Sequence, residues 1–429
     1  MITKKSNLKA FFAPKSIALI GASENETKVG GILLMNLIKA GIKVIPINPN
    51  HDEINKIKCY KNILDYSGKI DLGIIAIPSL FVPGALSECG RKGIKNVIII
   101  SAGFSEIGNT KGEAEIISVA KKYGIRFIGP NCFGIANPFK NLDTTFSITS
   151  AKKGNIAFLS QSGALWSYVS DFSSSVPDLG FSGFVSLGNM ADLEFSDFID
   201  YFCKDKKTKS IILYVEKLKD GKRFLKICKS CKKTIYAIKA GISEKGSQAA
   251  FSHTASLASD YEIYRGAFKQ AGVILCDSVL DALERASGKK LVKARGDEGV
   301  KIGRKVFILT NAGGAGALLA DYLSQKGFSV VQKPLDILGT ASGSDYFNAL
   351  EKIKDKTFYD SILVILTPQS MSELKKTAQV IVSFKQQTGK TIVPLFLGGK
   401  SMKEADEIFE KEGLAYFNTL EEARDNFSF

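Results

Sequence analysis

The feature of this chain that most constrains its fold is a repeated alternation of short β-branched segments with amphipathic segments. Strands in this pattern pair in parallel, because a parallel neighbour is reached only through a crossover connection, usually a helix. In the N-terminal third of the chain, the predicted strands are residues 16–20, 43–47, 72–77, 96–100 and 126–128. The pattern therefore predicts a doubly wound parallel α/β sheet.

The same alternation occurs twice more along the chain. Residues 155–159, 183–187, 211–215, 234–238 and 273–276 predict the strands of a second sheet, and residues 305–309 begin a third. A chain of 429 residues has room for about three domains of ordinary size. We expect three doubly wound α/β domains at residues 1–140, 150–288 and 304–429, with a basic linker at 289–303.

The first predicted strand runs into a glycine turn that is suited to phosphate. Gly21, Ala22 and Ser23 follow this strand, and Lys28 precedes the next helical segment. Backbone N–H groups at such a turn and at a helix N-terminus attract anions. The G-x-G-x-x-G fingerprint is missing, and Asn48 stands after the second strand in place of an acidic residue. These differences disfavour NAD and leave open another phosphate-bearing cofactor.

Turn residues also follow the last three predicted strands of the first domain. The carboxyl ends of parallel strands lie at one edge of a sheet, so these residues are expected to face the same ligand. They are Ile77, Pro78, Ser101, Ala102 and Asn131.

The second predicted domain begins with a turn of the same kind. Ser162, Gly163 and Ala164 lie between a predicted strand and a predicted helix, where their N–H groups are suited to hold an anion. A serine hydrolase instead needs a G-x-S-x-G elbow followed by Asp and His in triad order, and the sequence has neither. We therefore prefer phosphate binding to a serine nucleophile at this turn.

His253 is one of only two histidines, and it lies in a run of small and hydroxylic residues at 246–259. A run with so little side-chain bulk predicts a mobile loop. Imidazole titrates near neutrality, and its neutral form is a nucleophile that can accept a phosphoryl group. The alternative is a surface histidine with no catalytic role. Glu216 follows a predicted strand and is suited either to orient the imidazole or to pair with Lys217 or Lys219.

The net charge of +15 is concentrated in residues 204–233 and 289–305. Both nucleic-acid binding and attraction of anionic substrates such as CoA or nucleotides agree with this charge. The basic segments have no helix-turn-helix or RNA-binding signature and are typical of solvated helix faces. We therefore expect no nucleic-acid partner.

Cysteine usage and hydropathy bear on the cell compartment. The seven cysteines are scattered and odd in number, as expected of reduced thiols in a reducing compartment. Cys228 and Cys231 form a C-x-x-C pair, but a zinc site needs a second such pair, and two cysteines on one helical face are the preferred interpretation over a redox pair. No run approaches the roughly 18 apolar residues that span a bilayer, and no signal peptide is evident. We expect a cytoplasmic protein with no membrane partner.

Several of these motifs together resemble the alpha chains of the ADP-forming acyl-CoA synthetases, a family that includes acetate–CoA ligases and is related to succinyl-CoA ligase. The resemblance covers nearly the whole chain and extends to a Gly-rich turn in the third domain. The motifs that carry it are Ile20-Gly21-Ala22-Ser23, Lys28-Val29-Gly30, Gly129-Pro130-Asn131-Cys132, Ser160-Gln161-Ser162-Gly163-Ala164, Val215-Glu216, Ser252-His253-Thr254 and Asn311-Ala312-Gly313-Gly314.

The resemblance implies a Rossmann-like CoA-binding domain followed by two flavodoxin-like domains of the succinyl-CoA ligase type. By this likeness, His253 carries a phosphoryl group from an acyl phosphate to ADP, and Glu216 holds the imidazole. The implied CoA-binding residues are Gly21, Ala22, Ser23, Lys28, Ile77, Pro78, Ser101 and Ala102. The implied phosphate- or acyl-binding residues are Asn131, Ser162, Gly163, Ala164, Gly313 and Gly314. Asn50 and Lys333 depart from the family's pattern, which commonly has lysine and asparagine there.

The nucleotide site of that family lies on an ATP-grasp domain, and the three predicted domains leave no room for one. The sequence also has no P-loop, since Phe384 stands where a P-loop ending at Gly389 needs its first glycine. We expect an ATP-grasp beta subunit that binds ADP or ATP with Mg²⁺, an alpha2beta2 heterotetramer, a small acyl-CoA or carboxylate substrate, and no metal site on this chain. The competing class is a non-catalytic CoA-binding or redox-sensing regulator, which needs neither His253 nor three domains.

Overall fold

The structure, a computed structural model, describes residues 8–254, 261–291 and 299–429, and the side chains of 250–254 lie outside that description. Its first domain contains a sheet of five parallel strands in the order β2-β1-β5-β6-β7, with β3 and β4 as a separate hairpin. The strands are β1 (Ser16–Ile20), β2 (Lys43–Ile47), β3 (Glu53–Ile54), β4 (Ile57–Lys58), β5 (Leu72–Ile75), β6 (Asn96–Ile99) and β7 (Arg126–Ile128). The helices are α1 (Lys9–Phe12), α2 (Val29–Lys39), α3 (Val82–Arg91) and α4 (Thr110–Tyr123).

The second sheet has seven strands in the order β14-β13-β12-β10-β11-β8-β9. Its strands are β8 (Ile135–Asn137), β9 (Leu142–Asp143), β10 (Lys153–Ser160), β11 (Phe181–Ser186), β12 (Ser210–Val215), β13 (Thr234–Lys239) and β14 (Ile274–Leu275). Its helices are α5 (Gly163–Ser175), α6 (Phe195–Lys204), α7 (Gly221–Ser230), α8 (Glu244–Thr254), α9 (Tyr261–Ala271) and α10 (Val279–Ser287).

The third sheet has the order β17-β16-β19-β20, with β18 also paired to β16. The strands of this part are β15 (Val300–Lys301), β16 (Lys305–Thr310), β17 (Ser329–Val330), β18 (Leu335–Asp336), β19 (Ser361–Leu366), β20 (Thr391–Phe396) and β21 (Phe427–Ser428). The helices are α11 (Gly313–Gln325), α12 (Gly343–Glu351), α13 (Leu374–Thr388), α14 (Lys403–Lys411) and α15 (Leu420–Asn426). The predicted fold class, three doubly wound parallel sheets, is confirmed, and each predicted strand lies within two residues of the observed one.

The connection between the first two domains differs from the predicted boundary. Strands β8 and β9 lie partly inside the segment assigned to the first domain, yet β8 pairs antiparallel with β11 of the second sheet. The pairing joins Phe184 to Ala136 and Val185 to Ile135. The predicted linker at 289–303 also differs, because β15 pairs in parallel with β21 at the C-terminus. Linker residues 292–298 lie outside the described part of the chain.

Continuous hydrophobic cores join the three domains. One core combines Leu19 and Leu33 of the first domain with Leu159 and Leu213 of the second. Another combines residues of α5 in the second domain with residues of α11 in the third. Close-packed interiors resist displacement of their parts. The carboxyl edges of the three sheets are therefore fixed relative to one another.

The cysteines differ from the prediction of reduced thiols. Cys203, in α6, forms a disulfide with Cys231, which follows α7, and their Cα atoms are 5.6 Å apart. That separation is within the usual range for a disulfide, because α6 and α7 pack side by side. Cys228, the other half of the C-x-x-C pair, is a buried free thiol, and burial raises its pKa to about 12. The interpretation of Cys228 and Cys231 as a pair on one helical face is therefore wrong.

Candidate functional site

A cavity of about 400 Å³ lies where the carboxyl edges of the three sheets meet. Residues after β5, β6 and β7 form one wall, the turn between β10 and α5 forms a second, and residues after β16, β18 and β19 form a third. The structure thus brings together eight predicted residues from two domains: Ile77, Pro78, Ser101, Ala102, Asn131, Ser162, Gly163 and Ala164. Seven other predicted residues are not among its lining residues: Gly21, Ala22, Ser23, Lys28, Glu216, Gly313 and Gly314.

The first wall is held by hydrogen bonds between neighbouring strand ends. Ser101 Oγ donates to Ile77 O at 2.5 Å and accepts from Ile77 N at 3.2 Å. Asn131 N donates to Ser101 O at 2.8 Å, and Asn131 Nδ2 donates to Asn189 Oδ1 at 3.3 Å. These bonds fix the residues that follow β5, β6 and β7 as one rigid edge.

The turn after β1 is close-packed, and at two of its positions there is no room for a side chain. Gly21 has φ +95°, and a Cβ there would lie 2.3 Å from Ala76 O. A Cβ at Gly30 would lie 1.9 Å from Gly21 O. No larger residue fits either position without moving backbone. The N-terminus of α2 is therefore held directly against the end of β1, with Ala22 buried behind it.

Lys28, at the N-terminus of α2, lines a neighbouring cavity of about 550 Å³. Val29 and Thr340 line both cavities, so the two are adjacent. The structure therefore places Lys28 and the residues at 77–102 along neighbouring parts of one surface. Thr340 belongs to the third domain, so that domain also borders this surface.

Two helix N-termini meet beside the main cavity. Ser162 caps α5, with its Oγ accepting from Leu165 N at 3.4 Å. A Cβ at Gly314, in the first turn of α11, would lie 2.6 Å from Ser162 Oγ and 2.9 Å from Tyr214 Oη. Only glycine allows the two helices to approach so closely. Since each helix N-terminus carries a partial positive charge, the pair forms a region that favours an anion.

Two glutamines that line the cavity were not predicted as site residues. Gln161 Oε1 accepts from Glu216 N at 2.8 Å and from Lys217 N at 2.9 Å, which leaves its Nε2 as a buried donor without a partner among the described residues. Gln369 is 1% exposed, and neither of its amide atoms has a partner within the described ranges. Buried polar atoms are normally hydrogen-bonded. These amides are therefore suited to bind a ligand in the cavity.

Sequence reasoning gave these glutamines no role, although Gln161 lies inside the motif Ser160-Gln161-Ser162-Gly163-Ala164, because a sequence does not show which amide atoms are left without a partner after folding. Gln369 follows β19 in the third domain, and its place in the cavity depends on how that domain packs against the other two. Phe146 also lines the cavity, from the segment between the first and second sheets. Only its packing against Phe133, with ring centroids 3.8 Å apart, places it there.

Glu216 follows β12 and is buried, 6% exposed. Other titratable side chains lie near it. Burial raises the pKa of Tyr214 well above its usual value, and the nearby Glu216 carboxylate adds to that effect. Burial lowers the pKa of Lys239, against the opposing effect of Asp321 and Glu216. Glu216 therefore sits in a poorly solvated group of ionisable side chains beside the α5 turn.

The two lysines predicted as alternative partners of Glu216 differ in their contacts. Lys219 Nζ donates instead to the carbonyl oxygens of Met190 and Ala191, at 3.0 and 2.8 Å. Lys217 lies close enough to Glu216 for the carboxylate to oppose the lowering of its pKa that burial causes. Of the two lysines, Lys217 is thus the one near Glu216.

His253 lies near the C-terminal end of helix α8. The prediction of a loop over residues 246–259 is therefore wrong for residues 246–254. The helix forms because its small residues pack closely: a Cβ at Gly246 would lie 2.0 Å from Asp321 Oδ1 on α11. Helix α8 contacts both α11 and the 3-10 turn Ser105–Ile107 of the first domain. The His253 side chain and residues 255–260 lie outside the described part of the chain.

The described residues form neither a candidate metal cluster nor a membrane-spanning helix. In residues 8–254, 261–291 and 299–429, no group of three or more His, Cys, Asp or Glu side chains is placed to hold a metal ion. No helix in the same ranges is long and apolar enough to cross a membrane.

Two family models match the chain. Residues 15–138 match a CoA binding domain, and residues 153–287 match the succinyl-CoA ligase like flavodoxin domain. These matches identify the first domain as a Rossmann-like CoA-binding fold and the second as flavodoxin-like.

Proteins similar along the whole chain include the alpha subunit of Acetate–CoA ligase [ADP-forming] II from Pyrococcus furiosus, which is 39% identical over 97% of this chain and 95% of that protein. Acetate–CoA ligase [ADP-forming] I from Archaeoglobus fulgidus is also 39% identical, over 96% of this chain, but the chain spans only 61% of its length. A solved structure of the dinucleotide-forming acetyl-coenzyme A synthetase 1 from Ca. Korarchaeum cryptofilum, in complex with phosphate and ADP, matches 98% of this chain and 95% of its own, at 32% identity and TM-score 0.63.

Proposed function

This chain belongs to the family of the alpha subunits of ADP-forming acetate–CoA ligases, and from that premise we propose that it serves the reaction acyl-CoA + ADP + phosphate = carboxylic acid + CoA + ATP by way of an acyl phosphate and a phosphohistidine on this chain. The observation that carries the proposal is the cavity at the junction of three sheet edges, beside two converging helix N-termini. Such a cavity can hold a thioester and a phosphate side by side. Acetyl-CoA is the proposed substrate.

In this proposal, CoA lies along the first domain. Gly21, Ala22, Ser23 and Lys28 bind its phosphates at the turn before α2, and Ile77, Pro78, Ser101 and Ala102 lead its pantetheine arm to the main cavity. The N-terminus of α2 supplies N–H donors, and the Lys28 ammonium supplies positive charge. The adjacency of the two cavities at Val29 and Thr340 supports this path.

Inorganic phosphate is placed next to the thioester by the second and third domains. Its oxygen attacks the thioester carbonyl carbon, the C–S bond breaks, and the CoA sulfur leaves with the electron pair and takes up a proton. The N-terminal turns at Ser162, Gly163, Ala164, Gly313 and Gly314 stabilise the charge on the phosphate and on the acyl phosphate formed from it. Asn131, which lines the cavity, is proposed to border the acyl carbon.

His253 then accepts the phosphoryl group. A ring nitrogen attacks phosphorus, the bond from phosphorus to the acyl oxygen breaks, and the carboxylate leaves as the product acid. The phosphohistidine later gives the phosphoryl group to ADP. Glu216 is proposed to hold the imidazole in the tautomer that keeps the attacking nitrogen unprotonated.

The nucleotide step requires a second chain in this proposal. An ATP-grasp beta subunit binds ADP with Mg²⁺, and the two chains form an alpha2beta2 heterotetramer. The subunit name of the Pyrococcus furiosus relative supports a partner of this kind. In this proposal, the part of the chain around His253 swings between the two sites, a loop rearrangement of a recognised kind, while the start of α8 stays anchored on α11.

Glu216→Gln is expected to slow phosphorylation of His253 about ten- to a hundredfold, while CoA binding changes little. One charge-assisted hydrogen bond contributes about 1.5 to 3 kcal/mol, which corresponds to that factor in rate. The measurement is the rate of acid-labile phosphate incorporation from acetyl phosphate.

Glu194→Gln is the matched control, because Glu194 is buried to the same extent as Glu216 but pairs with Arg223 at 3.0 Å. This variant is expected to be less stable yet to be phosphorylated at the normal rate. Equal rates for wild type and Glu216→Gln would show that Glu216 does not orient the nucleophile.

Gln369→Leu is expected to raise the KM for phosphate or acetate about tenfold without lowering the melting temperature. The ligand loses one hydrogen bond to a charged oxygen, whereas the free protein loses only an amide that has no partner among the described residues. Steady-state kinetics and thermal unfolding measure the two effects. Thr377→Val serves as the control, since Thr377 Oγ1 is likewise buried without a described partner but does not line the cavity. An unchanged KM in Gln369→Leu would exclude Gln369 from the ligand site.

A further inference from the structure

The second and third domains repeat one local arrangement where the central strand meets the next helix. Ser160 Oγ donates to Ser162 O at 2.6 Å, and Thr310 Oγ1 donates to Ala312 O at 3.0 Å. Helices α5 and α11 begin at the next residue in each case. The two helices are therefore equivalent positions of a repeated unit.

The residue between donor and acceptor, Gln161 in the second domain and Asn311 in the third, also has the same role in both domains. Gln161 Oε1 accepts from Glu216 N at 2.8 Å, and Asn311 Oδ1 accepts from Thr367 N at 2.8 Å. In both cases, a side-chain amide ties the start of the helix to the end of the neighbouring strand. The second and third domains are therefore equivalent in their neighbouring strands as well. Residues of α5 and α11 can thus be compared position by position.

Each of these helices carries a buried aspartate eight residues after its first glycine. Asp171 on α5 is 0% exposed and accepts through Oδ2 from Gly399 N at 2.7 Å and Ser401 Oγ at 2.7 Å. Gly399 and Ser401 belong to the third domain, so this aspartate holds a segment of the opposite domain. That segment leads into α14, which contains no histidine.

Asp321 on α11 makes the reciprocal contact. It is 1% exposed, and its Oδ2 accepts from Gly241 N at 2.9 Å and Ile242 N at 3.1 Å. Its Oδ1 accepts from Ser243 N and Ser243 Oγ, both at 2.7 Å. These residues of the second domain directly precede α8, the helix that carries His253. Only Asp321, therefore, is linked to the proposed nucleophile.

The contact extends into the first turn of α8. A Cβ at Gly246 would lie 2.0 Å from Asp321 Oδ1 and 3.0 Å from Ala317 O, so the helix passes directly over the carboxylate. Ser243 Oγ, which donates to Asp321, in turn accepts from Gly246 N at 3.0 Å and so caps the first turn of α8. Asp321 therefore fixes the residue that caps the helix. Burial strengthens these bonds, because water does not compete for them.

We propose that Asp321 is a positioning residue for phosphoryl transfer: through the segment 241–243, it fixes the start of α8 and thereby the placement of His253. This inference rests on the proposed function, in which His253 is the nucleophile. Displacement of a reacting group by about 1 Å can cost a hundredfold in rate. Loss of Asp321 therefore slows the chemistry more than loss of its equivalent, Asp171.

The test compares the full chain as wild type, Asp321→Ala and Asp171→Ala. Acetyl phosphate is the phosphoryl donor, and acid-labile phosphate on the chain is measured over time at several donor concentrations. Both variants are expected to melt at a lower temperature than wild type. Only Asp321→Ala is expected to lower the limiting rate of incorporation, by about tenfold or more, with little change in the half-saturating donor concentration.

Asn variants keep the test decisive if the Ala variants fail to fold. Asp321→Asn retains one acceptor oxygen, so it is expected to recover part of the lost rate, while Asp171→Asn phosphorylates as wild type does. Equal limiting rates for the Asp321 and Asp171 variants would overturn the positioning role. If the wild-type chain itself takes up no acid-labile phosphate, the proposed function fails instead, so the two failures are distinguishable.

Discussion

His253→Ala is expected to abolish ATP formation from acetyl-CoA, ADP and phosphate while leaving CoA binding intact. The imidazole is the proposed attacking group, and alanine has no atom that can take its place. The proposed CoA residues lie on the first domain, whereas His253 lies on α8 of the second. ATP synthesis in the presence of the partner chain measures the first effect, and calorimetric titration with CoA measures the second.

His51 provides the matched control, because it is the only other histidine in the chain. His51→Ala is expected to retain acid-labile phosphate, whereas His253→Ala is expected to retain none. Measurable ATP synthesis by His253→Ala together with its partner would contradict the phosphohistidine mechanism. Persistent acid-labile phosphate on that variant would point to another nucleophile.

The chain purified without a partner is expected to make no ATP and to bind Mg-nucleotide weakly or not at all. Its described helices and strands belong to three α/β units, and the proposed function assigns to them a CoA surface, an anion-binding junction and a phosphoryl carrier. A nucleotide site also needs an adenine pocket and ligands for Mg²⁺. Calorimetry with ADP and ATP on the lone chain, repeated with the partner, tests this division.

Acetyl phosphate gives this experiment an internal control. The lone chain should still acquire acid-labile phosphate from acetyl phosphate, since that step needs only the junction of its own domains. A chain that binds Mg-nucleotide at micromolar concentration and synthesises ATP by itself would contradict the need for a beta subunit. The Archaeoglobus fulgidus relative, of which this chain spans 61%, is a natural reference because it is a longer single protein.

The sequence determined most of the secondary structure. Its β-branched runs predict strands that the structure places within two residues, because fully buried parallel strands need continuous apolar segments on both faces. The short turns were also predictable: Gly21, Gly163 and Gly314 occupy sites where a Cβ would collide with a neighbour. The glycines themselves are visible in the sequence, although the neighbours that exclude a Cβ there are distant in the chain.

Contacts between distant segments decided the rest. Helix α8 was predicted as a loop because Gly, Ala and Ser form weak helices by themselves, yet the same small residues let α8 pack on α11 and place Gly246 against Asp321. The disulfide from Cys203 to Cys231 depends in the same way on the packing of α6 against α7. Gln161 and Gln369 line the same cavity only because the second and third domains share a core. Local patterns specify which segments form strands and turns. The roles of small residues and of side-chain amides depend instead on which distant segments pack against them in the folded chain.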